Sequence, residues 1–96
     1  MRVMHFGQIA ANNTAGTAVF PFDKYIDEKV GVFQAEFQGA ATATIQGRMT
    51  ADAAYTDIAS ITSADATKIK TVALMPDMRM FVSSWVAGNV NVYLGV

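Results

Sequence analysis

The chain has 96 residues, of which 52% are hydrophobic and only 16% charged, with a formal net charge of −1. A typical soluble domain is about 25% charged, so this chain either exposes apolar surface or covers it against partners, and the second reading makes it a subunit of something larger. The basic residues Arg2, Lys24, Lys29, Arg48, Lys68, Lys70 and Arg79 are scattered, which excludes the clustered charge that displaces counterions from a phosphate backbone and hence a nucleic-acid partner.

There is no cysteine, so neither a disulfide nor a thiolate zinc site is available, which suits assembly in a reducing cytoplasm. No stretch approaches the ~20 apolar residues of a membrane span. His5 and Gln8 interrupt the apolar region that a cleaved signal would need, so no secretory leader and no membrane partner are expected.

In chain order, Val3, His5 and Gly7 alternate with Met4, Phe6 and Gln8, predicting an opening strand to about Ala10. Ala11–Gly16 is turn chemistry, in which Asn and Thr side chains cap backbone groups ahead of a glycine. Thr17–Phe20 reads as a short second strand, ended by Phe20-Pro21-Phe22, and Asp23–Asp27 as a loop or single helical turn. Residues 1–18 as a whole read as an extended N-terminal arm or an edge strand. Glu28–Gln38 is a long strand with Phe33, Ala35 and Phe37 facing inward. Thr42–Met49 follows, with Ala43, Ile45 and Gly47 toward the core and Thr42, Thr44, Gln46 and Arg48 toward water.

Residues 50–61 admit two readings. Ala51, Ala54, Tyr55, Ile58 and Ile61 fit helical spacing with Thr50 as cap, whereas a turn over Thr50–Ala54 leaves Tyr55–Ile61 as a strand. A polar loop, Thr62–Thr67, leads to three closing strands: Lys68–Met75, Met78–Val86 and Asn89–Leu94. Pro76 breaks the first pair and Gly88 the second. In the last strand Val90, Val92 and Leu94 take one face and Asn91 and Tyr93 the other, the strictest period of two in the chain. Seven to eight short antiparallel strands, with turn signals about every ten residues, predict an all-β, jelly-roll-like β-sandwich forming one domain over residues 1–96.

Enzyme chemistry has little to work with. His5 is the only histidine, no nucleophile-elbow pattern surrounds Ser60, Ser63, Ser83 or Ser84, and Asp52, Asp57, Asp65 and Asp77 sit in or beside turns, where aspartate caps backbone N–H groups. Asp52 and Asp57 lack the alternate-residue spacing of a calcium loop, and no glycine-rich phosphate loop is present. The sequence therefore assigns no catalytic, metal or cofactor-binding residue. Met75, Met78 and Met80 cluster around the Pro76-Asp77 turn, and methionine is over-used at adaptable contact surfaces as well as in cores. In Met78–Val86 either face fits the core. Packing Phe81 and Trp85 inside is the reading favoured over Trp85 as a sugar-stacking surface.

One order of features resembles a known group. Ile45-Gln46-Gly47-Arg48-Met49, an aspartate turn and Tyr55-Thr56-Asp57-Ile58 are followed by Pro76-Asp77-Met78-Arg79. A terminal hairpin at Gly88 then ends Val90-Asn91-Val92-Tyr93-Leu94-Gly95-Val96. This is similar to small β-sandwich structural proteins of tailed bacteriophage virions, over Ala43 to Val96. It departs from them at Asp52-Ala53, where a glycine often follows the aspartate, and at Met78, where an aromatic is usual. The resemblance implies a non-enzymatic virion component, made in the host cytoplasm: a capsid decoration (cement) protein, or a small tail- or fibre-associated module. Its implied partners are further copies of itself and a major capsid or tail protein. The contact residues expected are Phe20, Phe22, Met75, Met78 and Met80, with Arg2–Ala18 as a reaching arm. The competing reading is a carbohydrate- or receptor-binding β-sandwich that stacks ligand on Trp85, Tyr55 or Tyr93.

Overall fold

A computed structural model describes residues 3–21 and 30–96. Phe22, Asp23–Asp27 and the start of the predicted Glu28–Gln38 strand lie outside the described residues. Among those described there are eight strands and no helix: β1 (Val3–Ile9), β2 (Thr14–Ala15), β3 (Val30–Phe37), β4 (Thr42–Arg48), β5 (Thr56–Thr62), β6 (Ile69–Ala73), β7 (Asp77–Ser83) and β8 (Val90–Gly95).

Period-two alternation decides which side chains meet. Val90, Val92 and Leu94 of β8, Phe33 and Ala35 of β3, Ala43 and Ile45 of β4, and Met78, Met80 and Val82 of β7 are all buried. They join Phe6, Ile9, Ile61, Val72 and Leu74 in one core between two sheets, with each large aliphatic buried contributing ~1.5–3 kcal/mol. The sheets run β1-β8-β3-β6 and β2-β7-β4-β5, and every paired neighbour is antiparallel. The chain changes sheet at every connection except the β4–β5 hairpin. This is the double Greek key of an eight-stranded jelly roll. The all-β sandwich predicted from the alternation is the fold.

Three local expectations are corrected. The closing strands do not pair with one another: β6 and β8 lie in one sheet and β7 in the other, so the turn at Gly88 is an arch between sheets rather than a hairpin. Alternation fixes which residues face the core but not which strand lies alongside. Strand β7 also stops at Ser83, short of Val86. Ser84 and Gly88 both take positive φ, 50° and 84°, and turn the chain across the sandwich end. Finally, the second strand is two residues, Thr14–Ala15, aligned on Val82 and Phe81, with a single further bridge from Val19 to Met78. Asn13, at φ 51°, makes the reversal, so the strand starts at Thr14 instead of Thr17.

Residues 50–61 resolve as turn and strand. Ala53 N–H donates to the Thr50 carbonyl at 3.2 Å, and β5 pairs along β4 with a bulge opposite Ile45 and Gln46, where the register skips Ile58. The bulge lets Ile58 and Ile61, three residues apart, both turn to the core, which is why the run also fitted a helix, whereas Tyr55 faces outward.

Candidate functional site

The outer face of the β2 sheet carries a closed polar network. Alternation points Gln46 and Arg48 of β4 and Arg79 of β7 outward, and β7 begins at Asp77, opposite Arg48. Arg48 Nε donates to Asp77 Oδ2 at 2.7 Å, and its Nη1 reaches the Ala51 and Ala53 carbonyls at 3.3 and 3.4 Å, tying down the β4–β5 turn. Tyr55 Oη donates to Asp77 Oδ1 at 2.5 Å. Arg79 Nε donates to Gln46 Oε1 at 2.8 Å, and Gln46 Nε2 to Asp57 Oδ1 at 2.9 Å. The guanidiniums of Arg48 and Arg79 lie 4.2 and 4.0 Å from the Tyr55 ring centroid, within cation–π range.

The electrostatics follow the geometry. The Tyr55 hydroxyl, then the Arg48 guanidinium, hold the Asp77 carboxyl below the usual carboxylate range. Burial first, and the bond to Asp77 second, push the Tyr55 phenol up, and the bond to Asp77 raises Arg48. Asp77 is only 6% exposed, yet no buried side-chain polar atom among the described residues lacks a partner. The network locks three strands and leaves little capacity for a ligand. Two cations occupy the approach that a sugar stacking on Tyr55 would use.

The other outer face is different. Its register sets Val3, Gly95, Val32 and Thr71 in one row and His5, Tyr93, Gln34 and Ile69 in the next. His5 stacks on Tyr93, with centroids 4.9 Å apart, and its Nε2 lies 3.1 Å from Asn91 Oδ1. A shallow depression of about 120 Å³ opens over Gly95, lined by Val3, Val32, Gln34, Ile69 and Tyr93. Val3 and Ile69 are exposed beside it.

One end of the sandwich is also apolar. The register brings together the start of β3, the end of β4, the β6–β7 connection and the chain beyond Val19. Exposed Phe20, Val30 and Met49 therefore share this end with half-buried Met75. Two expected contact residues are withdrawn from any surface: Met78 and Met80 have 0% exposure. The Met78–Met80–Val82 side of β7 is the core side, and Phe81 faces outward. Substituting both methionines with aspartate would therefore place two carboxylates in the core, not on a contact surface.

Trp85 lies past β7, packed on the rim of the core, with Nε1 donating to the Gly88 carbonyl at 2.8 Å and its backbone N–H bonded to Asn12 Oδ1 at 3.1 Å. Trp85, Tyr55 and Tyr93 thus lie at the β7–β8 end, on one face and on the other, and form no common platform. Among the described residues no group of three or more His, Asp or Glu side chains is placed to hold a metal, and no helix is long and apolar enough to cross a membrane. Compared with known proteins, the chain matches no family model, no curated protein and no solved structure.

Proposed function

We propose that this chain is a non-enzymatic structural protein of a tailed-phage virion, a decoration protein that binds an assembled capsid lattice and stabilises it. The observation that carries the reading is that exposed Phe20, Val30 and Met49 and half-buried Met75 lie at one end of the sandwich. An exposed apolar cluster on so small a protein marks a contact surface. Jelly rolls serve viral capsids and lectins alike, and fold alone does not choose between them. The separation of Trp85, Tyr55 and Tyr93 favours the capsid over the lectin. Stabilisation is by mass action: a ligand that binds only the assembled shell shifts the equilibrium toward it.

The test is to purify particles from cells producing the chain, search them for it by mass spectrometry, and measure shell melting with and without added protein. The chain is expected in the particles, raising their melting temperature. A Phe20→Asp/Met49→Asp variant is expected to fold as the wild type does and to be absent from them. Particles without the chain, or incorporation of the double variant at the wild-type level, would overturn the reading.

A further inference from the structure

We propose that the outer face of the β1-β8-β3-β6 sheet is a two-fold interface to a second copy of this chain. The inference extends the assembly reading; its surface adjoins the apolar end at Val30, one row beyond Val32 on β3, but is centred on Gly95 and stands on its own geometry. A two-fold interface is isologous: the same patch meets itself, so it must carry both a projection and a recess. This face has both. Gly95 contributes no side chain to the row Val3–Gly95–Val32–Thr71, which leaves the 120 Å³ depression. Val3 and Ile69 stand beside it, 65% and 47% exposed. A two-fold axis near Gly95 sets the projecting aliphatics of each copy into the other's recess.

Charge and size agree with this occupant. Among the described residues of these four strands, Glu36 is the one carboxylate directed outward on this face, and it lies with Gln8 and Asn91, two rows away from Gly95. Lys70, the one Lys or Arg in these strands, turns to the edge, where its Nζ donates to the Ser60 carbonyl of β5. Among the described residues of these strands, two copies meeting here desolvate no Lys or Arg side chain at the centre. The opposite outer face would bury Arg48, Arg79, Asp57 and Asp77, at a desolvation cost that such pairs often fail to recover. Four strands of five to eight residues, at about 4.8 Å between strands and about 3.3 Å per residue, present a face of roughly 400 Å² in projection, the scale of a small, reversible interface rather than an obligate one.

Light scattering and sedimentation equilibrium from micromolar to submillimolar concentration test the proposal. A reversible dimer is expected. Val32→Lys and Ile69→Lys should each shift its dissociation constant up by at least roughly tenfold, with the circular dichroism spectrum unchanged. Thr56→Lys, on the other sheet, should leave it intact. Because the chain has no cysteine, Gln34→Cys supplies a single reporter at the recess, and its maleimide labelling should slow as concentration rises. A monomer at every concentration, a dimer indifferent to both lysine variants, or concentration-independent labelling would overturn the two-fold interface. Any of these results would leave the decoration reading to stand or fall on particle incorporation.

Discussion

The two outer faces of this sandwich share one pleat and differ in how their side chains are completed. On the β2 sheet, Arg48 and Tyr55 bond to Asp77, Gln46 bonds to Arg79 and Asp57, and the Arg79 guanidinium over the Tyr55 ring joins the two sets. On the β1 sheet, His5, Asn91 and Tyr93 make one local contact set, and the surrounding Val3, Val32 and Ile69 have no polar group to offer. Few charges are available to this chain, and Arg48, Asp57, Asp77 and Arg79 are gathered on one face, where they offset one another. A face completed from within resists being covered, because covering it strips water from ions. A face of aliphatic and uncharged polar groups loses little on being covered. Substitutions on the first should therefore cost stability, and on the second association.

The largest effect lies inside both faces. Met78→Asp/Met80→Asp puts two carboxylates where exposure is 0%, and burial of an unpaired charge costs at least several kcal/mol. We expect a chain that shows no cooperative thermal transition. A folded monomer with a normal melting curve would mean that β7 presents its other side to the core.

Next in size is the locked face. Asp77→Ala removes the acceptor shared by Arg48 and Tyr55, and the melting temperature should fall by roughly 10 °C or more. Tyr55→Phe keeps the ring against both guanidiniums and deletes only the hydroxyl. It should cost about 1–2 kcal/mol, the range for a bond to a charged acceptor. The double variant should lose less than the sum, since both changes break one bond. Strict additivity would show that the network is a set of independent contacts.

Acid should act on the same face. Asp77 is held below the usual carboxylate range chiefly by Tyr55 and then by Arg48, and Asp65 chiefly by the Thr62 N–H, which donates to it at 2.8 Å. A carboxyl whose folded pKa is depressed binds fewer protons folded than unfolded. Its stabilisation is complete above the unfolded value near 4 and is lost as pH falls through the folded value. Urea midpoints should hold steady from neutrality down to about pH 5 and decline below it. Asp77→Asn should start lower and decline less. An unchanged slope in that variant would assign the acid sensitivity to Asp65.

The contrast between faces was only half legible in the sequence. Alternation placed Phe33, Ala35, Ala43 and Ile45 inside and gathered Val90, Val92 and Leu94 on one face, and the strand count pointed to the sandwich, because period two is a property of one strand alone. Partner choice is not: the pairing of β8 with β1 and β3, and the placing of β7 in the opposite sheet, depend on how arches at Ser84 and Gly88 cross the core. Gln46 and Arg48 were legible as outward. Their bonds to Asp57 and Asp77 were not, since those partners come from strands whose neighbours the sequence left open. The methionine cluster misled for a related reason, because a Met-rich run beside a proline turn reads equally as gap-filling or as contact surface. Only the register of β7 on β4, with Met80 opposite Ile45, decides it.

The smallest effect tests the open face most sharply. Val3→Lys replaces an exposed valine at the rim of the Gly95 recess. A surface substitution away from caps and networks moves stability by no more than ~0.5 kcal/mol. Measured in dilute solution, its urea midpoint should overlay the wild type. In concentrated solution the wild type should gain stability from association by mass action, and the variant should gain less. Concentration thus separates what the two faces do: stability of the Asp77 variants should fall short at every concentration, and that of Val3→Lys only where copies meet. If Val3→Lys is destabilised equally at both extremes, then Val3 supports the fold of β1 against β8, and the open face is a second locked one built from packing rather than charge.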